Sequence, residues 1–130
     1  MKLSPKEARS EWVKALRSGK YRQGTHVLRS PVDETYCCLG VACDLYREHG
    51  LVDWHLESNS WRFLGEKHVL PERVRRWLGF KHSGVGLKNT IEVNGRDLDS
   101  LMDMNDAGRS FAEIADFIEE GDVILEGEES

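Results

Sequence analysis

The sequence has few cysteines, few prolines and no long apolar run. It contains three Cys and three Pro among 130 residues, and its apolar runs are only a few residues long. Runs this short exclude a transmembrane helix, which needs about 20 apolar residues. An odd number of cysteines, two of them adjacent, does not build a disulfide framework. These absences exclude membrane-spanning, disulfide-rich secreted, collagen-like and coiled-coil proteins, and they suit a reducing compartment.

Local signatures of the common nucleotide-binding and hydrolase classes are also missing. The sequence has no Walker loop, dinucleotide fingerprint, His-Glu-x-x-His motif or Gly-x-Ser-x-Gly elbow. Neither its Cys and His residues nor the acids of 97–106 have the spacing of a zinc or calcium site. We therefore expect no metal and no cofactor. The first ten residues are polar and charged, without an apolar signal region, which predicts a cytoplasmic protein.

Length and composition predict one α+β domain. A chain of 130 residues with 39% apolar residues is large enough for a core and too small for two domains. Capping and spacing signals predict helices near 5–18, 38–49, 71–78, 98–105 and 111–120. Strands are predicted at 25–29, 34–37 (as a hairpin with the first), 60–64, 91–93 (followed by a turn at 94–95) and 123–125.

We therefore expect four or five helices packed on a small, mainly antiparallel sheet within residues 1–125, followed by a flexible acidic tail over 126–130. The apolar positions of the helices predict the core. Its members are Trp12, Leu16, Cys38, Val41, Leu45, Trp77, Leu101, Phe111, Ile114 and Ile118.

Charge is unevenly distributed along the chain, whose net charge is −5. Residues 1–30 contain eight Lys and Arg and only two acids, whereas residues 81–130 contain four and thirteen. This predicts a basic surface for anions and an acidic surface for a basic partner, unless the two ends neutralise each other in the fold. The candidate ligand-binding or phosphate-binding residues are Lys20, Tyr21, Arg22, His26 and Arg29.

Nucleic acid is the less favoured partner. The pattern of residues 102–119 is that of a helix-turn-helix. The second helix, however, carries carboxylates such as Glu113 and Asp116 and no Lys or Arg of its own. Such a helix would repel phosphates, so we interpret the segment as a structural helical hairpin. If nucleic acid binds, the first helix and residues 20–29 are the better surface.

The cysteine-rich segment at 36–43 allows a catalytic hypothesis. A cysteine at the start of a helix is stabilised as the thiolate, and a nearby histidine would complete a nucleophile–base pair. The pattern Cys38-x-Gly40-Val41 resembles the nucleophile helix of papain-like cell-wall endopeptidases. The candidate catalytic residues are Cys38 or Cys37 as nucleophile and His68 or His82 as base. The alternative is that these cysteines are small apolar residues of the core.

Four segments together resemble a group of small uncharacterised proteins of tailed bacteriophages and prophages. They are WVKALRSGKY at 12–21 with Gln23 and Gly24, YCCLGV at 36–41, LPERVRRWLG at 70–79 and LMDMNDAGRSFAEIAD at 101–116. The resemblance implies a phage origin and a cytoplasmic setting in an infected bacterium. It implies no activity and no catalytic residue.

Three functions follow as hypotheses. The leading one is a non-enzymatic phage accessory protein that binds a host component or a defence system, with no membrane partner. The first alternative is a cysteine-dependent hydrolase that uses the residues given above. The second is a protein that sequesters a small anionic or nucleotide ligand through bases of residues 1–30.

Overall fold

Helices make up most of the regular structure in the part of the chain that the computed structural model describes, residues 3–50 and 52–127. Within it lie five helices and two antiparallel sheets of two strands each, so the predicted α+β class is confirmed. The elements in chain order are α1 (Pro5–Arg17), α2 (Cys38–His49), β1 (His55–Glu57), β2 (Ser60–Arg62), α3 (Glu72–Leu78), β3 (Gly86–Val93), β4 (Arg96–Ser100), α4 (Leu101–Asp106) and α5 (Phe111–Glu119). No helix in these ranges is both long and apolar enough to cross a bilayer.

Capping boxes start α1 and α5, as predicted. The Ser4 side chain accepts the Glu7 amide at 3.1 Å, and the Glu7 carboxylate accepts the Ser4 amide at 2.9 Å. Ser110 and Glu113 repeat this arrangement at the start of α5. Each box satisfies amides that a helix start otherwise leaves unpaired. The two helices then pack against each other, which brings the first and last thirds of the chain together.

Helix α2 is the buried centre of the fold. Its residues from Cys38 to Leu45 are all buried, and its bounds are those predicted. The helix lies against the backbone of the preceding loop at Gly40. A Cβ added to Gly40 would stand 1.7 Å from the Leu28 carbonyl oxygen, so only glycine allows this approach.

The predicted hairpin of 25–29 and 34–37 is wrong. This segment is a loop that makes only isolated bridges, from Tyr36 to Gln23 and to Arg29. His26 and Glu34 have φ values of 72° and 54°, which extended strands do not permit. The loop leads directly into α2. Backbone hydrogen bonds stabilise it, such as the one that the Gly24 amide donates to the Tyr36 carbonyl at 2.9 Å.

The predicted helix from residue 98 begins later, at Leu101. Asn94 and Gly95 both have positive φ, 51° and 79°, which makes a two-residue hairpin turn. That turn pairs residues 96–100 with β3, so they are a strand. The predicted strand and turn at 91–95 are confirmed, and the strand starts earlier than predicted, at Gly86.

Two further predictions need correction. Residues 123–125 make single bridges to β3 and to Phe80 rather than a strand. Of the predicted core, nine residues are buried, but Trp77 is half-buried at the edge, against Tyr46 and His49.

The predicted acidic tail begins with a bonded residue, since the Glu126 amide donates to the Gly79 carbonyl at 2.8 Å. Residues 128–130 of that predicted tail lie outside the described residues.

Candidate functional site

The cysteines of the catalytic hypothesis lie inside the core. Cys37 is the N-cap of α2 and Cys38 its first residue, and they are 4% and 0% exposed. The Cys38 carbonyl accepts the Trp12 indole N–H at 3.0 Å, and its thiol lies 3.7 Å from the Leu101 carbonyl oxygen. These contacts make the start of α2 a packing junction with α1 and α4.

Burial raises the pKa of the Cys37 thiol to about 11, although the amides of Leu39 and Gly40 act in the opposite direction. Burial likewise raises the pKa of Cys38 and of Cys43 well above the usual value. The expectation that the helix start lowers a thiol pKa is therefore wrong for these residues. Desolvation of the thiolate outweighs the favourable field of the helix.

The two candidate bases are exposed, whereas the thiols are buried. His68 Nδ1 donates to the His26 carbonyl at 2.7 Å, and His82 lies in the loop before β3. Among residues 3–50 and 52–127, no hydrogen bond joins a cysteine sulfur to a histidine ring. A cavity of about 380 Å³ beside His82 has no cysteine among its described lining residues. The structure does not bring the predicted nucleophile and base together.

The residues predicted to bind phosphate all make hydrogen bonds or ion pairs within the fold, His26 through its backbone. Lys20 pairs with Glu48 at 3.0 Å, and Arg22 donates to the Asp33 carbonyl at 3.3 Å. The His26 amide donates to the Asp106 carboxylate at 2.8 Å.

The Arg29 guanidinium lies against an aromatic cluster. Its guanidinium carbon is 3.9 Å from the centre of the Trp61 ring, with Tyr36 and Trp54 also within 6 Å, and it pairs with Glu34 at 2.6 Å. Neither described cavity is lined by any of the five predicted residues. Their contacts hold the 20–37 loop against α2 and the first sheet.

Tyr21 belongs to a buried charge cluster around Asp44. The Asp44 carboxylate accepts the Tyr21 hydroxyl at 2.6 Å, the Trp54 indole N–H at 3.0 Å and the Arg47 guanidinium at 2.7 Å. Burial alone would raise the pKa of Asp44, but the donors of Arg47, Tyr21 and Trp54 outweigh it and hold the pKa below its usual value. The cluster therefore stabilises the fold more when Asp44 is ionised than when it is protonated.

Replacement of Asp44 by Asn is expected to lower the free energy of unfolding by about 2 kcal/mol at pH 7. Because the folded pKa lies below the unfolded one, this contribution is complete above the unfolded pKa of about 3.9 and is lost as pH falls through the folded value. Urea unfolding between pH 7 and pH 2.5 should therefore show a shallower acid loss for Asp44→Asn. An equally steep loss in the exposed control Asp97→Asn and in Asp44→Asn would contradict this role.

An open groove of about 600 Å³ lies between α1 and residues 118–125. Four cationic side chains line it, all from α1: Lys6, Arg9, Lys14 and Arg17. Glu119 is the one carboxylate among its described lining residues. Its apolar lining consists of Val13, Ile118, Val123 and Leu125. The groove is thus basic at its rim and apolar at its floor.

Local contacts hold the two arginines of the rim in place, whereas Lys14 makes an exposed ion pair. The Arg9 guanidinium donates to the Leu78 carbonyl at 2.8 Å, at the end of α3. Arg17, the last residue of α1, donates to Asp116 at 2.6 Å and to Glu119 at 3.1 Å, and these contacts join α1 to α5. Lys14 pairs with Glu11 at 3.3 Å, and both side chains are exposed. The sequence signal for this surface is the spacing of the four bases, which places them along one side of a helix.

Family comparison covers almost the whole chain. Residues 4–122 match the model described as Domain of unknown function (DUF8296), so the chain belongs to that family. The match includes α1, the cysteine-rich start of α2 and α5. No curated protein matches the chain, and no solved structure matches it either.

Proposed function

We propose that this protein is a non-enzymatic binding protein, a phage accessory protein that acts on a host component or a defence system in the cytoplasm of an infected bacterium. The observation that carries the binding role is the groove along α1, with its cationic rim and apolar floor. A concave surface that combines a few charged groups with apolar area is the usual form of a binding site.

The chemistry of the buried thiols supports binding over hydrolysis. A nucleophilic cysteine needs an accessible thiolate and a base within hydrogen-bond reach. Cys37 and Cys38 are buried with raised pKa values, and His68 is bonded to a backbone carbonyl. The cysteines pack the core, which was the alternative interpretation of the segment.

The phage part of this proposal is supported by the resemblance of four sequence segments to those of small phage and prophage proteins. Two of these segments build the centre of the fold, since Cys38 and Gly40 start α2 and Asn105 accepts the Cys38 amide at 3.1 Å. The resemblance therefore concerns residues that determine the fold. The groove bases Lys14 and Arg17 also lie in one of the segments.

The test is reconstitution of a complex with an identified host protein. The tagged chain is expressed in a bacterial host, cross-linked and purified, and each captured protein is identified, purified and titrated into the chain by calorimetry. We expect one protein to bind with a defined stoichiometry. If no captured protein binds the purified chain, the proposal fails.

A second measurement distinguishes a binding protein from a cysteine-dependent hydrolase. Alkylation of the native thiols should be more than about a hundredfold slower than after unfolding, because all three thiols are buried and their raised pKa values, about 11 for Cys37, leave few thiolates near pH 7.5. One thiol that reacts rapidly in the native protein would favour the hydrolase.

A further inference from the structure

We propose that the groove between α1 and residues 118–125 binds an acidic amphipathic helix of a partner protein. This inference rests on the proposed binding function and names the surface and the class of partner.

The sign of the partner's charge follows from the rim. Although the chain carries a net charge of −5, four cations and one carboxylate line this groove. Arg17 is already compensated by Asp116 and Glu119. The rim cations that a ligand's carboxylates can reach therefore include Lys6 and Lys14, and within residues 3–50 and 52–127 the ion-pair partner of Lys14 is the exposed Glu11. An exposed pair contributes little, so its lysine can exchange that carboxylate for one of a ligand.

The apolar floor favours a polypeptide over a nucleic acid. Val13, Ile118 and Val123 form the floor, and the aliphatic stems of the rim lysines extend it. No aromatic ring occurs among the described residues that line the groove, so bases would have no stacking surface. Leucine-type side chains of a helix would instead bury apolar area there while flanking carboxylates meet the rim.

The dimensions suit a short helix. Helix α1 has 13 residues, which corresponds to a length of about 20 Å. A partner helix of three to four turns would cover it and present apolar anchors at i, i+3 or i+4, and i+7. Charge complementarity would fix its position and give a salt-sensitive association.

The test uses a synthetic helix-forming peptide of about 14 residues, with leucines along one face and glutamates on its flanks. We expect the intact chain to bind it, with chemical-shift changes in α1 and residues 118–125. Lys6→Glu with Lys14→Glu should weaken binding by about tenfold or more, since two attractions become repulsions. Both lysines are exposed, so this variant should fold, which circular dichroism checks.

The matched control changes the charge equally elsewhere. Lys20→Glu with Arg22→Glu lies outside the groove, on the surface predicted from the sequence, and should leave the peptide affinity within about twofold. Equal weakening by both variants, tighter binding of a peptide with lysines in place of the glutamates, or displacement of the peptide by single-stranded oligothymidylate would each overturn the inference.

The two proposals fail separately. If an identified host protein binds the chain and the Lys6→Glu, Lys14→Glu variant binds it equally well, the groove inference is overturned while the binding function stands. If the acidic peptide binds in the groove but no host protein does, the surface is supported and the proposed host function fails.

Discussion

Replacement of Gly40 by Ala is expected to destabilise the protein by about 3 kcal/mol or more. In an isolated helix the change would stabilise by about 1 kcal/mol, because alanine is the better helix former. Here the new Cβ would stand 1.7 Å from the Leu28 carbonyl oxygen and 2.6 Å from the carbonyl carbon, both backbone atoms. Relief requires α2 and the loop to separate, which opens the most buried part of the core.

Gly84→Ala is the matched control. A Cβ at Gly84 would meet the Met102 side chain at 3.6 Å, an ordinary contact, and we expect a change within about 1 kcal/mol. Urea unfolding followed by circular dichroism measures both variants, and loss of the cooperative transition counts as the larger effect. If Gly40→Ala is as stable as Gly84→Ala, the close approach of α2 to the loop is not a constraint on the fold.

Elements with complete local signals could be predicted from the sequence. For α1 and α5, the capping serine, the glutamate three residues later and the helical apolar spacing all agree, and both helices form with capping boxes. Helix α2 was predicted with its observed bounds because its apolar positions are continuous and Gly50 ends it. Such signals act over a few residues and need no knowledge of the rest of the chain.

The loop at 20–37 could not be predicted, because distant contacts determine its shape. β-Branched residues such as Thr25 and Val27 favour a strand, but His26 has a positive φ, and its amide donates to the Asp106 carboxylate. Sequence patterns do not reveal a partner 80 residues away. The strand at 96–100 was missed for the opposite reason. The spacing of Leu98 and Leu101 fits a helix, and the turn predicted at 94–95 does not by itself show that the chain returns as a strand beside β3.

The candidate site also has a part that the sequence predicted and a part that it did not. The excess of bases in residues 1–30 was visible in the sequence, and the first helix was one of the two surfaces favoured for an anionic partner. The second wall of the groove comes from α5 and the residues after it, joined to Arg17 by contacts that span 99 residues. The cysteines led to a wrong expectation because a cysteine at a helix start is usually a better thiolate. Burial in the folded protein raises the thiol pKa instead, and the sequence does not show that burial.

Asn105 is the residue whose importance the sequence concealed most completely. It is fully buried. Its side-chain oxygen accepts hydrogen bonds from the Cys38 backbone N–H at 3.1 Å and from the Gln23 side-chain NH2 at 2.9 Å. Its side chain nitrogen donates to the Gly24 carbonyl at 2.9 Å. Gln23 continues the network by accepting the Phe111 amide at 3.1 Å. Two side chains thus connect the starts of α2 and α5, the end of α4 and the loop before α2.

Replacement of Asn105 by Ala is expected to lower the free energy of unfolding by about 3 to 5 kcal/mol, because buried amide and carbonyl groups lose their partners together. Asn89→Ala, at an exposed position of β3, should change it by less than about 0.5 kcal/mol. In a double-mutant cycle, Gln23→Ala should cost less in the Asn105→Ala background than in the wild type, with a coupling of about 0.5 to 3 kcal/mol. Urea unfolding of the four proteins gives this coupling directly. Strictly additive losses would show that the two side chains act independently, and an effect of Asn105→Ala as small as that of Asn89→Ala would show that the network does not hold these elements together.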